Sequence, residues 1–328
     1  MLAGQVSCDG FIREAGLRVQ THVHLDHMDS FETSKAFQTI LTSRGTHALL
    51  CAQLNADLPY RSNFVGAEFG SVMNYGDFQV TLESSGHMLG AAQVRVETRE
   101  GLRLGYSGDF SWPLDKVIQV DTLVVDPTYG SPSSVREYDQ GAAEAALLHV
   151  IHRTRHFGPV RVLAHQGTLQ RALQVVSGQL GFPMLGSRRL LKEIAVYRDF
   201  GCVIDDVLDV ESPEGKEVAK TRTYLRWYGT GDSLPIPDGE STAIKLSAFM
   251  SRQDDPVLHY SDRSLRIAMS NHADFAGTLQ YIEASGARTV VVDASRGGNA
   301  IALAEAVTSR LGIECVVPEV ELSREWGR

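Results

Sequence analysis

The sequence reads as an α/β protein, and two features carry that assignment. The first third runs in short alternating or apolar stretches between Gly and Asp breakers, the texture of strands and turns. From about Ser131 onward, helical periodicities alternate with short buried-strand runs, the texture of a parallel α/β layer. With 328 residues, 43% apolar and 22% charged, the chain can build two domains, or one large domain with an insertion.

In chain order, "VSCDGFI", "FQVTLESS", "AQVRVET" and "LRLGYSGD" are the early strand candidates. "EYDQGAAEAALLHVIHRTRHFG" then carries helical spacing, "VRVLA" reads as a buried strand, and "TLQRALQVVSGQL" and "SRRLLKEIAVYRDF" as two more helices. The polar stretch from Asp209 to Thr242, with its Pro and Gly, is expected to be a loop or lid. Beyond it, "AIKLSAF" and "SLRIAMS" are strand candidates, 275–285 a helix, "RTVVVDA" a strand, "AIALAEAVTSRL" a helix and "IECVVPEV" a last strand. No internal repeat or low-complexity tract interrupts this order.

Composition narrows the function classes. No apolar run reaches the roughly 18 residues of a membrane span. The start, "MLAGQVSCDG", lacks the basic and apolar regions of a secretory signal. Cys8, Cys51, Cys202 and Cys315 are far apart and form no paired motif, which fits a reduced, cytoplasmic setting. A net charge of -9 argues against coating nucleic acid by bulk charge, while leaving room for local basic patches or bound cations.

The densest chemistry is "THVHLDHMDS", residues 21–30. His22 and His24 are two apart, so in an extended segment both point to one side and can grip one cation. Asp26 and His27 follow where the chain turns and can face a second. Each residue alone would be an ordinary loop side chain; four ligand types at this spacing are not ordinary. "SSGHMLGAAQV" adds His87 between two glycines, where a turn can enter a site without steric conflict. "LGYSGDFSW" adds Asp109 at a strand end, a carboxylate with two oxygens that can bridge two cations.

HxHxDH, a Gly-His turn and "YSGDF" in this order resemble the metallo-β-lactamase superfamily. "VVDPTYG" (124–130) and "AMSNHADFAGTLQYI" resemble the later acidic and Ser-x-His-x-Asp motifs of its β-CASP nucleases, which include cleavage and polyadenylation, Artemis-type and ligase-associated enzymes. The resemblance covers nearly the whole chain. It implies a four-layer αβ/βα sandwich from 1–135 and 255–328, with an α/β β-CASP domain inserted at 136–254. It further implies two zinc ions: His22, His24 and His87 on the first, Asp26 and His27 on the second, and Asp109 between them. Asp126 would pair with His272 near the leaving group.

The chemistry suits a phosphodiester, which is anionic and has a poor leaving group. Two cations bind its oxygens and lower a shared water toward a pKa of about 7. A His oriented by a carboxylate, His272 with Asp126, can then supply the leaving proton. Family members often carry one more His after a late strand. Here "TVVVDASRGG" puts Asp293 or Ala294 there; Asp293 is either an oxygen ligand or an ordinary strand-end group, so the second site is expected to be the weaker one and open to manganese. RNA or DNA, single-stranded by preference, is the expected partner. Gly167 and Thr168 at a helix start, and Ser251 and Arg252 after a strand, are candidate phosphate contacts. Arg153, Arg155, Arg161, Arg188, Arg189 and Lys192 are either a basic wall or solvated helix faces. The leading expectation is a zinc-dependent nuclease, exonuclease rather than endonuclease. The alternatives are a small-ester or thioester hydrolase, and a non-catalytic binding subunit. Oligomeric state has no signal in the sequence.

Overall fold

The computed structural model describes residues 1–54, 57–232, 239–247, 255–295 and 297–318. Contacts divide the chain into two compact units. The first comprises Met1–Thr46, Ser62–Val135 and the residues from His272; the second comprises His47–Arg61 and Arg136–Asn271.

The first unit starts with four short strands, β1 (Val6–Cys8), β2 (Leu17–Val19), β3 (Thr39–Ser43) and β4 (Phe64–Ala67), paired in that order and all parallel. Helix α1 (Phe31–Phe37) packs on β3, and α2 (Arg44–Gln53), which from His47 onward belongs to the second unit, follows that strand. Neither helix is expected from the strand-like texture of this third: α1 is only two turns long, and its apolar residues are few. The chain continues through β5 (Val72–Tyr75), β6 (Phe78–Ser84), β7 (Ala92–Thr98), β8 (Arg103–Tyr106) and β9 (Thr122–Val125).

The second unit contains α3 (Gln140–Thr154), β10 (Val160–Leu163), α4 (Thr168–Val176), β11 (Met184–Gly186), α5 (Arg188–Asp199), β12 (Val207–Asp209), α6 (Pro213–Thr221), β13 (Leu225–Tyr228), β14 (Thr242–Leu246), β15 (Val257–Ser261) and β16 (Ser264–Ile267). Its sheet has the order β12-β11-β13-β10-β14-β16-β15, parallel except for β15 at one edge. The expected loop from Asp209 to Thr242 is corrected here, since it contains α6 and β13. Helix α6 buries only Gly215, so no apolar stripe marks it. Its start is nevertheless written locally: the Ser212 side chain accepts from Gly215 N at 3.0 Å, and Pro213 occupies the first turn. One face of the sheet is a dry core of Val160, Val162, Leu225, Trp227, Ile244, Leu246, Leu265 and Ile267, each 0–1% exposed except Leu265 at 3%.

Back in the first unit, α7 (Phe275–Ala284), β17 (Thr289–Val292), α8 (Ala300–Ala306) and β18 (Glu314–Val316) complete a mixed sheet ordered β18-β17-β9-β8-β7-β6-β5. Alternation along these strands gives the sheet two apolar faces. Leu17, Val19 and Leu41 of the small sheet and Val80, Leu82, Val94, Val96 and Tyr106 of the large one share one core. Leu123, Val125, Val290 and Val292 share another with Phe275, Leu279 and Ile282 of α7 and Leu303 of α8. Helix, sheet, sheet and helix thus succeed one another in this unit.

Candidate metal centre

The site residues all belong to the first unit, and most follow the carboxyl ends of strands. His22 and His24 come after β2, His87 after β6, Asp109 after β8 and Asp126 after β9; His272 precedes α7. Hydrogen bonds between these loops fix their relative positions. Ser85 Oγ donates to the Asp109 carbonyl (2.7 Å), and Ser111 N to the Ser85 carbonyl (2.9 Å). Asp126 N donates to Ser107 Oγ (3.0 Å), and Ala273 N to the Phe110 carbonyl (2.7 Å). The glycines around His87 are required. At Gly86 (φ +68°) a Cβ would meet Ser111 Oγ at 2.2 Å, and at Gly90 (φ +79°) the Thr46 N at 2.1 Å.

Ligand atoms of His22, His24, His87 and Asp109 lie within 4.8 Å of one another. His87 Nε2 is 3.3 Å from His24 Nδ1, and Asp109 Oδ2 is 3.5 Å from both His22 Nε2 and His87 Nε2. Four donors bound tetrahedrally at about 2.1 Å would be about 3.4 Å apart, so this set fits a small divalent cation. His22 Nε2 is buried with no hydrogen-bond partner among the described residues, and a cation is the partner such a lone pair needs.

The other oxygen of Asp109 faces elsewhere. Asp109 Oδ1 is 3.1 Å from His27 Nε2, which is 3.8 Å from Asp26 Oδ2. His272 Nε2 is 3.9 Å from Asp109 Oδ2, and ligand atoms of Asp126, Asp109 and His272 converge within 4.8 Å. The Tyr129 ring stands 5.6 Å from that of His272.

Asp9 is a site residue that the sequence reading misses. It is fully buried and accepts from Thr21 N (2.7 Å), Thr21 Oγ1 (2.6 Å) and His27 Nδ1 (2.7 Å). Since the Thr21 hydroxyl proton goes to Asp9, Thr21 Oγ1 accepts from His22 Nδ1 at 3.0 Å. One carboxylate therefore fixes two imidazoles, directing His22 Nε2 into the site through Thr21 and His27 Nε2 directly. The available signal was an acid at a strand end followed by Gly, which reads first as a turn.

Below the loop, the buried Arg18 donates to the carbonyls of His27 (3.0 Å) and Asp29 (2.7 Å) and to Gln20 Oε1. Gln20 Nε2 in turn donates to the carbonyls of His22 (2.7 Å) and His27 (2.9 Å). This polar clamp sets the spacing between the two halves of HVHLDH.

The electrostatics follow from burial and crowding. Burial opposes a charge on His27, but the carboxylates of Asp9 and Asp109 on its two nitrogens outweigh that and raise it to about 10. A cation taking Nε2 must therefore displace a proton. Burial also favours neutral Asp109, yet the surrounding imidazoles, His22 first, hold it well below the usual carboxylate range. Burial, and then repulsion from Asp109, raise Asp126 to about 7. Burial lowers His87, with neighbouring His272 adding to the effect, and lowers His272 itself. Replacing Asp9 by alanine would strand two buried donors and the His27 charge. It is expected to cost about 3 kcal/mol, read as a shift in the denaturant midpoint; an unchanged midpoint would refute the buried-pair assignment.

Asp293 is not among these convergent groups. Its Oδ1 accepts from the backbone N and Oγ of Ser295. Gly167 caps α4, and its N–H is taken by Gln170 Oε1 at 2.7 Å; Thr168 is the first helical residue rather than the cap. Arg188 pairs with Asp209 and Arg189 with Glu193. Ser251 and Arg252 lie outside the described residues.

No family model matches the chain. An uncharacterized protein in the lig 3′ region of Acidianus ambivalens is 32% identical over 114 residues, covering 34% of this chain and 81% of that protein. Endoribonuclease YSH1 of Eremothecium gossypii is 22% identical over 290 residues, 69% of this chain and 37% of that protein. An RNase J-like protein of Methanocaldococcus jannaschii is 24% identical over 214 residues, 56% of this chain and 49% of that protein. The chain thus spans half or less of the length of these last two. A crystal structure of an Enterococcus faecalis protein of unknown function shares the fold, with a TM-score of 0.64 at 14% identity over 92% of this chain and 79% of that one. A helix–sheet–sheet–helix unit with His and Asp side chains gathered at its strand ends is the architecture of the metallo-β-lactamase superfamily. Within it, the chain belongs to the β-CASP nuclease group.

Proposed function

We propose that the protein is a zinc-dependent nuclease that hydrolyses phosphodiester bonds of single-stranded RNA or DNA from a chain end. The observation that carries this is the division of Asp109: one oxygen faces His22 and His87, the other faces His27 beside Asp26. That division suits a carboxylate bridging two cations, here two zinc ions, with manganese an acceptable occupant of the second position. When bound, the two ions would supply Lewis acidity and a water of pKa near about 7. The chain's own groups do the rest. Asp26 accepts the proton of the attacking water, Asp9 and Thr21 hold the imidazoles in register, and His272 delivers a proton to the leaving oxygen with Asp126 as its partner. The names of the relatives, an endoribonuclease and an RNase J-like protein, support a nucleic-acid substrate. In this reading the first unit is the metallo-β-lactamase domain and the second the β-CASP insertion, which takes in β15 and β16 and so runs past the expected boundary at 254 to Asn271.

Among the described residues no helix is long and apolar enough to cross a membrane. The four cysteines are free thiols, which suits a cytoplasmic setting.

The test is incubation with zinc or manganese and end-labelled single- and double-stranded RNA and DNA. The expected product is a ladder shortened from one end, lost on chelation. Internal fragments would overturn the exonuclease mode, and thioester hydrolysis without any phosphodiester cleavage would overturn the nuclease reading. The purified protein is expected to contain zinc, and His24→Ala to contain clearly less by elemental analysis. Equal content in the two would mean that His24 is no ligand.

A further inference from the structure

Parallel sheets normally have both faces covered. In the second unit, the side chains of β10, β13, β14 and β16 alternate between the dry core and the opposite face. On that opposite face Ala243 and Lys245 of β14 are exposed, and Arg161, Arg226 and Arg266 are partly exposed.

Register shows what this face carries. Arg226 of β13 stands opposite Arg161 of β10, and Lys245 of β14 opposite Arg266 of β16. Arg161 faces the small Ala243, and Lys245 lies two residues further along β14. Four cations therefore form a diagonal strip across four adjacent strands. At about 4.8 Å per strand and 3.3 Å per residue, its backbone positions span about 16 Å. The other side chains of these four strands on this face are Tyr228, Leu163, Ala243 and Ser264, with no acid among them.

Like charges placed opposite one another destabilise a sheet. Here two such pairs adjoin in a protein of net charge -9. Two further observations point to an absent acceptor. Arg226 Nε and Nη1 are buried and make no hydrogen bond among the described residues, and the acid that feels the Arg226 charge, Asp209 of β12, is itself engaged by Arg188. Lys245 has no ion pair among them either. Aromatic rings flank the strip. The guanidinium of Arg226 lies 5.0 Å from the Tyr228 ring centre, and that of Arg266 lies 5.7 Å from the ring of Tyr260, which is 58% exposed.

We infer that this strip is an accessory binding track for a single-stranded nucleic acid, holding backbone phosphates on Arg226, Arg161, Lys245 and Arg266 while a base stacks on Tyr260. The choice of a nucleic acid over another polyanion rests on the function proposed above. The single-strand preference comes from the exposed ring, since only an unpaired base offers its face to Tyr260.

The test uses the full chain in EDTA, so that nothing is cleaved, with fluorescein-labelled 15-mers of oligo-dT and oligo-U read by anisotropy between 50 and 200 mM salt. Three to four phosphate contacts predict a slope of log affinity against log salt of about -2 to -3. Lys245→Gln, at an exposed position, should make that slope shallower by about 0.7. Lys245→Glu with Arg266→Glu should weaken binding by about tenfold or more at 50 mM salt. Tyr260→Ala should weaken it by about fivefold or more with the slope unchanged. Lys216→Glu with Lys220→Glu on α6 makes the same change in net charge and should have little effect. Hydrolysis of bis-p-nitrophenyl phosphate by the metal-loaded strip variants should match wild type. Equal weakening by the α6 control would reduce the effect to bulk charge and overturn the assignment. So would unchanged binding in the strip variants, or displacement of the oligonucleotide by poly-glutamate at equal charge. If no phosphodiester is cleaved by any form, yet oligonucleotide binding depends on the strip, the proposed activity falls and this inference stands.

Discussion

Asp26→Ala should abolish phosphodiester cleavage while leaving stability within about 0.5 kcal/mol of the wild type. The side chain is 63% exposed in the short turn Leu25–His27, beside Leu25 at 79%, so its removal opens no cavity and strands no buried partner. Its carboxylate nevertheless reaches 3.8 Å from His27 Nε2, the imidazole nitrogen that Asp109 Oδ1 faces at 3.1 Å. There it is the exposed acid placed to take a proton from the attacking water. Losing a positioned base costs about 10²–10⁴-fold in rate, and losing an oxygen ligand for the second cation adds to that. The measurement is steady-state hydrolysis of an oligonucleotide and of bis-p-nitrophenyl phosphate, alongside thermal unfolding of the same preparation. Both substrates should be affected, because the attacking group is common to them. Cleavage at the wild-type rate would remove Asp26 from the mechanism, and a large loss of stability would make it a structural residue.

The contrast between Asp26 and Asp9 shows where sequence stops being legible. Asp26 sits inside HVHLDH, where ligand types a few residues apart identify one another. Asp9 is 12 residues from Thr21 and 18 from His27, and only folding brings them together. The same holds for the basic strip. Arg161, Arg226, Lys245 and Arg266 lie on four strands scattered over a hundred residues, and only the register makes them neighbours. Buried strands such as "VRVLA" and helices with apolar stripes were legible because burial imposes a period on the sequence. Helix α6, which buries only a glycine, imposes none. The strand "LRWY" buries Leu225, Trp227 and Tyr228, but it is four residues long inside a polar stretch. The site is therefore legible where its ligands share a segment, and its supporting shell is not.

His272→Ala should slow cleavage of a natural phosphodiester by about 10²–10⁴-fold, the loss expected for a general acid, and slow bis-p-nitrophenyl phosphate much less. The distinction lies in the leaving group: an alkoxide needs a proton to depart, and p-nitrophenolate does not. Geometry places the ring suitably. Nε2 stands 3.9 Å from Asp109 Oδ2, at the edge of the ligand cluster rather than within its tetrahedral set, and 21% of the side chain still meets solvent. Burial keeps His272 below the ordinary imidazole range, which makes its protonated form a ready donor once an anionic substrate draws the proton in. Asp126 is lifted to about 7 by burial and by Asp109, so it can hold a proton itself near neutrality. Asp126→Asn keeps the shape and removes that capacity; it should reproduce the His272→Ala selectivity in weaker form. Substrate affinity should change little in either variant. Equal losses on both substrates, or a fall in bound metal in His272→Ala, would make His272 a ligand and assign the leaving proton to water.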